Sequence, residues 1–178
     1  MQTVAATSIA GARSLRVRPA TLLQCCDISN IHNQYVGSGP YTMEDVRWTP
    51  AEVKRQLDGL SDREGVLVCQ DELSRTLGWG KIKRYSDRAG YRIACEISVY
   101  VDRGERRRGV GDHLLPEVLQ LAHRMGYRHS VAKVITKNLA SIRFHLKHGY
   151  EIVGVQKGIG VIAGEIEDVT ILQYRFDA

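Results

Sequence analysis

The sequence predicts a single mixed α/β domain, on three observations. Short runs of β-branched or alternating apolar residues are interleaved with stretches whose apolar residues recur at helical spacing; no internal repeat is present; and no linker is long enough to set off a second domain. At 178 residues the chain can bury about 70% of the surface its unfolded form exposes. Its 43% hydrophobic and 25% charged residues are those of a globular chain. We place a tail over residues 1–14 and one domain over residues 15–178.

The elements follow in order. "SLRVRPAT" alternates and stops at Pro19, as a first strand running into a turn does, and "TLLQCCDISNIHNQYV" then carries Leu23, Ile28 and Ile31 near helical spacing until "GSGPYT" breaks the pattern. In "TPAEVKRQLDGL", Thr49 is the N-cap, Pro50 the first helical residue and Glu52 the capping-box partner. "GVLVCQD" and "TLGWGKIKRY" read as two strands joined by a polar turn, and "RIACEISVYV" as a third suited to a sheet centre. Val110, Leu114, Val118, Leu121 and Met125 form one helical stripe that ends at Gly126, with Pro116 expected to kink or loosen it. "HSVAKVI" is a short strand, Asn138 caps the helix "LASIRFHLKH", Gly149 stops it, and "YEIVGVQ" and "VTILQYRF" close the domain as strands.

The bulk chemistry excludes more than it selects. A net charge of +5 favours an anionic partner without naming one. The four cysteines show no C-x-x-C spacing, so reduced thiols and a cytoplasmic location are expected. No apolar run approaches the roughly 18 residues of a membrane span, and the N-terminal stretch lacks a signal-peptide pattern, although its composition leaves a transit peptide as the alternative. His145 and His148 stand three apart with no third ligand beside them, so no metal is expected.

The most informative stretch is "RGERRRGVGD", residues 103–112, with four arginines and three glycines. It joins an apolar strand ending at Val101 to a helix that starts near Gly109–Gly111. A helix N-terminus presents unpaired N–H groups and partial positive charge, and glycines let an anion approach, so the stretch is expected to cradle a pyrophosphate. It is neither a Walker A loop nor a G-x-G-x-x-G fingerprint. A nucleic-acid reader is disfavoured, because the basic residues cluster in one strand-to-helix loop without a recognition-helix or exposed aromatic pattern.

"RRRGVG" fits R/Q-x-x-G-x-G/A, with Arg106, Gly109 and Gly111 at the signature positions, and so resembles the GNAT N-acetyltransferases. "YRIACEISVYV", "NLASIRFHLKHGYEIVG" and "GEIEDVTILQ" resemble the phosphinothricin and methionine sulfoximine acetyltransferase branch, over nearly the whole chain beyond the tail. The resemblance implies a central mixed, mostly antiparallel twisted sheet flanked by helices, acetyl-CoA as donor, a primary amine as acceptor, and a homodimer. It implies that the strand at Val99, Tyr100 and Val101 pairs with the pantetheine arm. Arg106, Arg107, Arg108, Gly109, Val110, Gly111 and Asp112 would hold the pyrophosphate, and Asn138 and Ser141 would border the arm. Glu96 matches the family glutamate of E-x-S-V-Y-V and is implied as general base, directly or through water; without the resemblance it reads as a solvent-facing strand glutamate. His145 takes the position of a residue near the sulfur, to protonate the thiolate or orient the acceptor. Arg84, Arg88 and Tyr91 are candidates to clamp an acceptor carboxylate.

The chain departs from the branch on the acceptor side. Met43 stands where Phe is usual, Ser86 where a basic residue is usual, and Ile162, Gly164 and Ile166 where K-x-G-x-W is frequent. The donor is therefore implied more firmly than phosphinothricin as acceptor. A small amino-acid-like amine is the expected acceptor; a protein N-terminus or a polyamine, or a non-catalytic CoA-binding domain, are the alternatives.

Overall fold

The structure, a computed structural model, describes residues 14–176. Residues 1–13 of the expected tail lie outside the described residues. Strand β1 (Arg16–Pro19) leads through a 3-10 turn into α1 (Cys25–Asn33), and α2 (Pro50–Asp58) follows. Then come β2 (Gly65–Gln70), β3 (Thr76–Arg84), β4 (Ala94–Val101), α3 (Val110–Arg124), β5 (His129–Ile135), α4 (Leu139–Lys147), β6 (Glu151–Ile162) and β7 (Glu165–Arg175). The seven strands form one sheet in the order β1-β2-β3-β4-β5-β7-β6, antiparallel throughout except where β4 meets β5.

That parallel junction is the feature on which the site depends. Pairing runs from Ala94↔His129 to Glu96↔Val131 and stops, while β4 continues to Val101 and β5 to Ile135. The two strands part, and the edge of β4 beyond Glu96 that faces β5 has no ladder partner there. Backbone groups left this way require a partner from side chain, water or ligand.

Each sheet face buries a separate cluster. Leu114, Leu115, Val118 and Ala122 of α3 pack with Leu77, Ile82, Cys95, Ile97 and Leu172, while Ile28 and Ile31 of α1 and Val53 of α2 pack with Val66, Val68 and Trp79. Two glycines of β3 allow α3 to lie so close: a Cβ on Gly78 would stand 3.1 Å from a Val110 methyl, and one on Gly80 2.6 Å from a Val118 methyl. The expected capping box at Thr49 and Glu52 is present, and Gly126 and Gly149 end their helices with left-handed backbone.

Two expectations change. Helix α3 runs unbroken across Pro116, where one missing donor is outweighed by the buried stripe on either side of it. The last two strands are also longer than their sequence pattern. They form a hairpin reaching Ile162 and Glu165, closed by Ala163 and Gly164 at positive φ. Gly154, Gly158 and Gly160 interrupt the alternation by which a strand is recognised, and two register shifts accompany them.

Candidate active site

A cavity of about 540 Å³ opens where β4 and β5 separate. Its walls are β4 from Ile97 to Val101, Ala132, Lys133 and Val134 of β5, the loop residues Arg106, Arg107 and Gly109, Gly111 and Asp112 of α3, Asn138 with Ser141 and His145 of α4, and Tyr35 and Tyr41 from the segment after α1. Most of the expected donor-site residues are thus brought together. Two expected pyrophosphate contacts have side chains directed elsewhere. Arg108 reaches the buried Glu105 carboxylate at 3.5 Å, and Val110 is in the core, so only their backbone N–H groups remain for an anion.

The loop is shaped for such an anion. Arg107 at φ 59° and Gly109 at φ 82° turn the chain left-handed just before α3, the kind of backbone that gathers N–H groups into a concavity. Gly109 is the helix N-cap and has no side chain to compete for those groups. A Cβ on Gly111 would come 3.1 Å from the Phe144 ring, so glycine there lets the start of α3 approach the middle of α4. Glu105 anchors the turn from beneath, bonding Arg75 at 2.6 Å. Asp112, at the N-terminus of α3, bonds Lys147 at 2.7 Å and His148 at 2.8 Å. These two partners, the Lys147 bond first, hold its carboxyl below the usual range and offset its charge beside the loop.

Of the segment after α1, the sequence was read only at Met43, on the acceptor side; Gln34, Tyr35 and Tyr41 were not read as part of the site. Gln34 bridges it to the loop, donating to Asp102 and accepting from the Arg103 backbone N–H, both at 2.8 Å. The Tyr35 hydroxyl donates to the Val101 carbonyl. Arg106 lies over the rings of Tyr35 and Tyr41, 5.2 and 5.0 Å from their centroids. One signature arginine is thus held by aromatic faces.

Glu96 occupies the point where the strands part. Its carboxylate is bonded on both oxygens, to Lys83 at 3.0 Å and to Lys133 at 2.7 Å, and its side chain is 12% exposed. The solvent-facing glutamate that composition alone suggests is excluded. Glu96 itself does not line the cavity; Lys133, bonded to it, does. The Tyr85 ring faces the Lys133 ammonium at 5.7 Å.

His145 is buried on the cavity wall. Its Nδ1 is 2.8 Å from the Ser141 carbonyl, which only accepts, so the proton sits on Nδ1 and Nε2 carries the lone pair. Burial pushes its pKa down. A neutral ring in this tautomer has no proton at Nε2 for a thiolate; the arrangement suits accepting a hydrogen bond or packing. The Asn138 side chain accepts from the Ser141 N–H at 3.2 Å, as a cap should.

The acceptor-side expectations divide. Met43 packs on the hairpin, where a Cβ on Gly160 would meet its sulfur at 2.8 Å. Arg84, Arg88 and Tyr91 are not in the main cavity but line a second hollow of about 240 Å³ with Arg63 and Tyr127. Strand alternation is the reason for Arg84: Lys83 pairs with Glu96 on one face, and Arg84 with Cys95 on the other. Its guanidinium bonds Asp87 at 3.2 Å. No group of three or more metal-ligating side chains occurs among the described residues, and no helix among them is long and apolar enough to cross a membrane.

Known proteins are similar to this chain over nearly its whole length. The L-methionine sulfoximine/L-methionine sulfone acetyltransferase of Pseudomonas aeruginosa is 29% identical over 168 residues, covering 92% of this chain and 96% of that protein. The phosphinothricin N-acetyltransferase of Streptomyces coelicolor is 27% identical, over 89% of this chain and 95% of its own. The crystal structure of a GNAT superfamily phosphinothricin acetyltransferase from Sinorhizobium meliloti in complex with AcCoA superposes with a TM-score of 0.84 at 25% identity, over 92% of this chain and 88% of that one. Residues 29–150 match the family described as Acetyltransferase (GNAT) family, and with the parted strands and the glycine-arginine loop before α3 in place, this chain belongs to that family of N-acetyltransferases.

Proposed function

We propose that the protein transfers the acetyl group of acetyl-CoA to the primary amine of a small amino-acid-like acceptor. One observation carries the reading: the unpaired edge of β4 runs from the anion-shaped loop at α3 back toward Glu96, and the cavity along it is lined by Lys133, the ion-pair partner of that candidate base. In this reading the backbone of Val99 and Val101 pairs with the pantetheine amides, the Tyr35 hydroxyl yielding the Val101 carbonyl, and the N–H groups from Arg106 to Gly111 hold the pyrophosphate. Asn138 and Ser141 border the arm, and His145 orients groups near the sulfur. No metal takes part in this reading. Reaction begins with loss of a proton from the acceptor ammonium, which at pH 7 costs roughly 1 kcal/mol for an α-amine and roughly 4.6 kcal/mol for a lysine-like one. Glu96 receives that proton, directly or through water. Each carboxylate oxygen is paired with one lysine, which leaves a further lone pair on each to accept it.

The acceptor end also bears on substrate choice. One carboxylate, Glu96, stands against two ammonium groups, which is unlike the open acidic cleft a polyamine calls for. An acceptor that carries its own carboxylate or other acidic group fits better, and the named relatives act on such molecules. Arg84, Arg88 and Tyr91 reach that acceptor only if it extends toward the second hollow. The exposed Ile152, Val155 and Val161 of the edge strand β6 support assembly as a homodimer. The free thiols of Cys25, Cys26, Cys69 and Cys95 fit a reducing, cytoplasmic location.

The test is thiol release from acetyl-CoA against phosphinothricin, methionine sulfoximine and sulfone, amino acids, polyamines and short peptides, with Glu96→Gln in parallel. A selective acceptor whose kcat/KM falls about 10²–10⁴-fold in the variant is expected. Unchanged turnover in Glu96→Gln removes the base assignment, acetyl-CoA binding without turnover favours a sensor, and no acetyl-CoA binding removes the reading altogether.

A further inference from the structure

Lys133 is the only lysine among the described residues that both lines the main cavity and bonds Glu96. The other lysines separate these properties. Lys83 bonds the same carboxylate but does not line the cavity, and Lys147 lines it but bonds Asp112. Lys133 stands alone in an otherwise apolar stretch of β5, where strand alternation places it on the face shared with Glu96 and the parting of β4 and β5 leaves its side chain beside the slot. A primary amine on the wall of the slot, ion-paired with the candidate base at 2.7 Å, has the arrangement required of an acceptor.

We propose that Lys133 is a site of self-acetylation. The inference rests on the reading of the slot as an acetyl-CoA site. The Lys133 ammonium gives one proton through Glu96 to water, and the freed Nζ attacks the thioester carbonyl. The new C–N bond forms, the C–S bond breaks, and the second amine proton leaves with the thiolate as free CoA thiol. Lysine, acetyl-CoA and the released proton balance without any further reactant. The product is neutral, so Glu96 retains only Lys83 as an ionic partner and the acceptor end loses one positive charge.

The test incubates the full-length protein with isotopically labelled acetyl-CoA in the absence of acceptor and reads each lysine by peptide mass spectrometry, with acetyl-CoA binding and acceptor turnover measured alongside. The expected result is label at Lys133 at least about tenfold ahead of Lys83, Lys147 and the exposed Lys157, because a held amine reacts at high effective concentration. The rate should be independent of protein concentration and should fall in Glu96→Gln. Lys133→Arg, which keeps a cation beside Glu96, should remove the label without loss of thermal stability. Equal labelling of all four lysines, or a Lys133 rate that grows with protein concentration, overturns the proposal. So does an unlabelled Lys133 in a protein that acetylates an added amine, an outcome that leaves the proposed function standing. Failure to bind acetyl-CoA overturns both.

Discussion

Replacing Gly80 with alanine tests whether β3 positions the helix that carries the cradle. The new Cβ would stand 2.6 Å from a Val118 methyl, about 0.8 Å short of the 3.4 Å at which ordinary contact begins, and 3.6 Å from Leu114. Val118 is fully buried on α3 and its β-branched side chain has little rotamer freedom, so the backbone of α3 or β3 must give way. Overpacking of this kind costs about 1–3 kcal/mol, read as a lower urea midpoint at unchanged slope. Because α3 begins at the anion loop, the shift should also raise the KM for acetyl-CoA. The decisive comparison is the Val118→Ala background, where the space that the Cβ needs is already empty. There the same substitution should be close to neutral, giving a coupling of about 1 kcal/mol or more. Additive effects of Gly80→Ala and Val118→Ala would refute the argument that steric closeness at this crossing sets the helix position.

His32 is fully buried, stacked on Trp48 with ring centroids 3.6 Å apart, and neither ring nitrogen has a partner among the described residues. Burial pushes its pKa down to about 4, so the unfolded chain binds the extra proton first and stability falls as pH drops from 6.5 to about 4. The loss is about 3 kcal/mol at 1.36 kcal/mol for each tenfold change in proton affinity. His32→Phe should flatten that part of a stability-against-pH curve; an unchanged slope would assign the loss to other groups. Glu105→Ala should cost about 1 kcal/mol, since Arg75 and Arg108, which share its carboxylate, are solvated and Arg75 keeps Asp71, and should weaken acetyl-CoA binding more than it changes kcat. Asn138→Ala removes the cap of α4 and should cost about 1 kcal/mol in thermal or denaturant unfolding.

Local signals in the sequence carry much of this protein. Thr49, Pro50 and Glu52 start α2, Asn138 caps α4, and Gly126 and Gly149 stop α3 and α4, because caps are chemistry between residues three or four apart. The glycine-arginine loop was legible for the same reason: its left-handed turn before α3 is made by near-consecutive residues, Arg107 and Gly109. Other features depend on residues far apart in the chain. The hairpin at Ile162 and Glu165 was hidden by glycines that blur strand alternation, and its tip reaches Met43 through Gly160, a contact that only folding creates. Tyr35 reaches Val101 across 66 residues, and Lys83 and Lys133 converge on Glu96 from two neighbouring strands. Side-chain alternation sent Arg84 to the opposite face, although it adjoins Lys83 in sequence. The sequence by itself determined most of the elements, the glycine-arginine loop before α3 and the place of Glu96 in a central strand. Tertiary structure alone decided what surrounds that glutamate, because the charge and access of a buried group are set by the strands packed beside it.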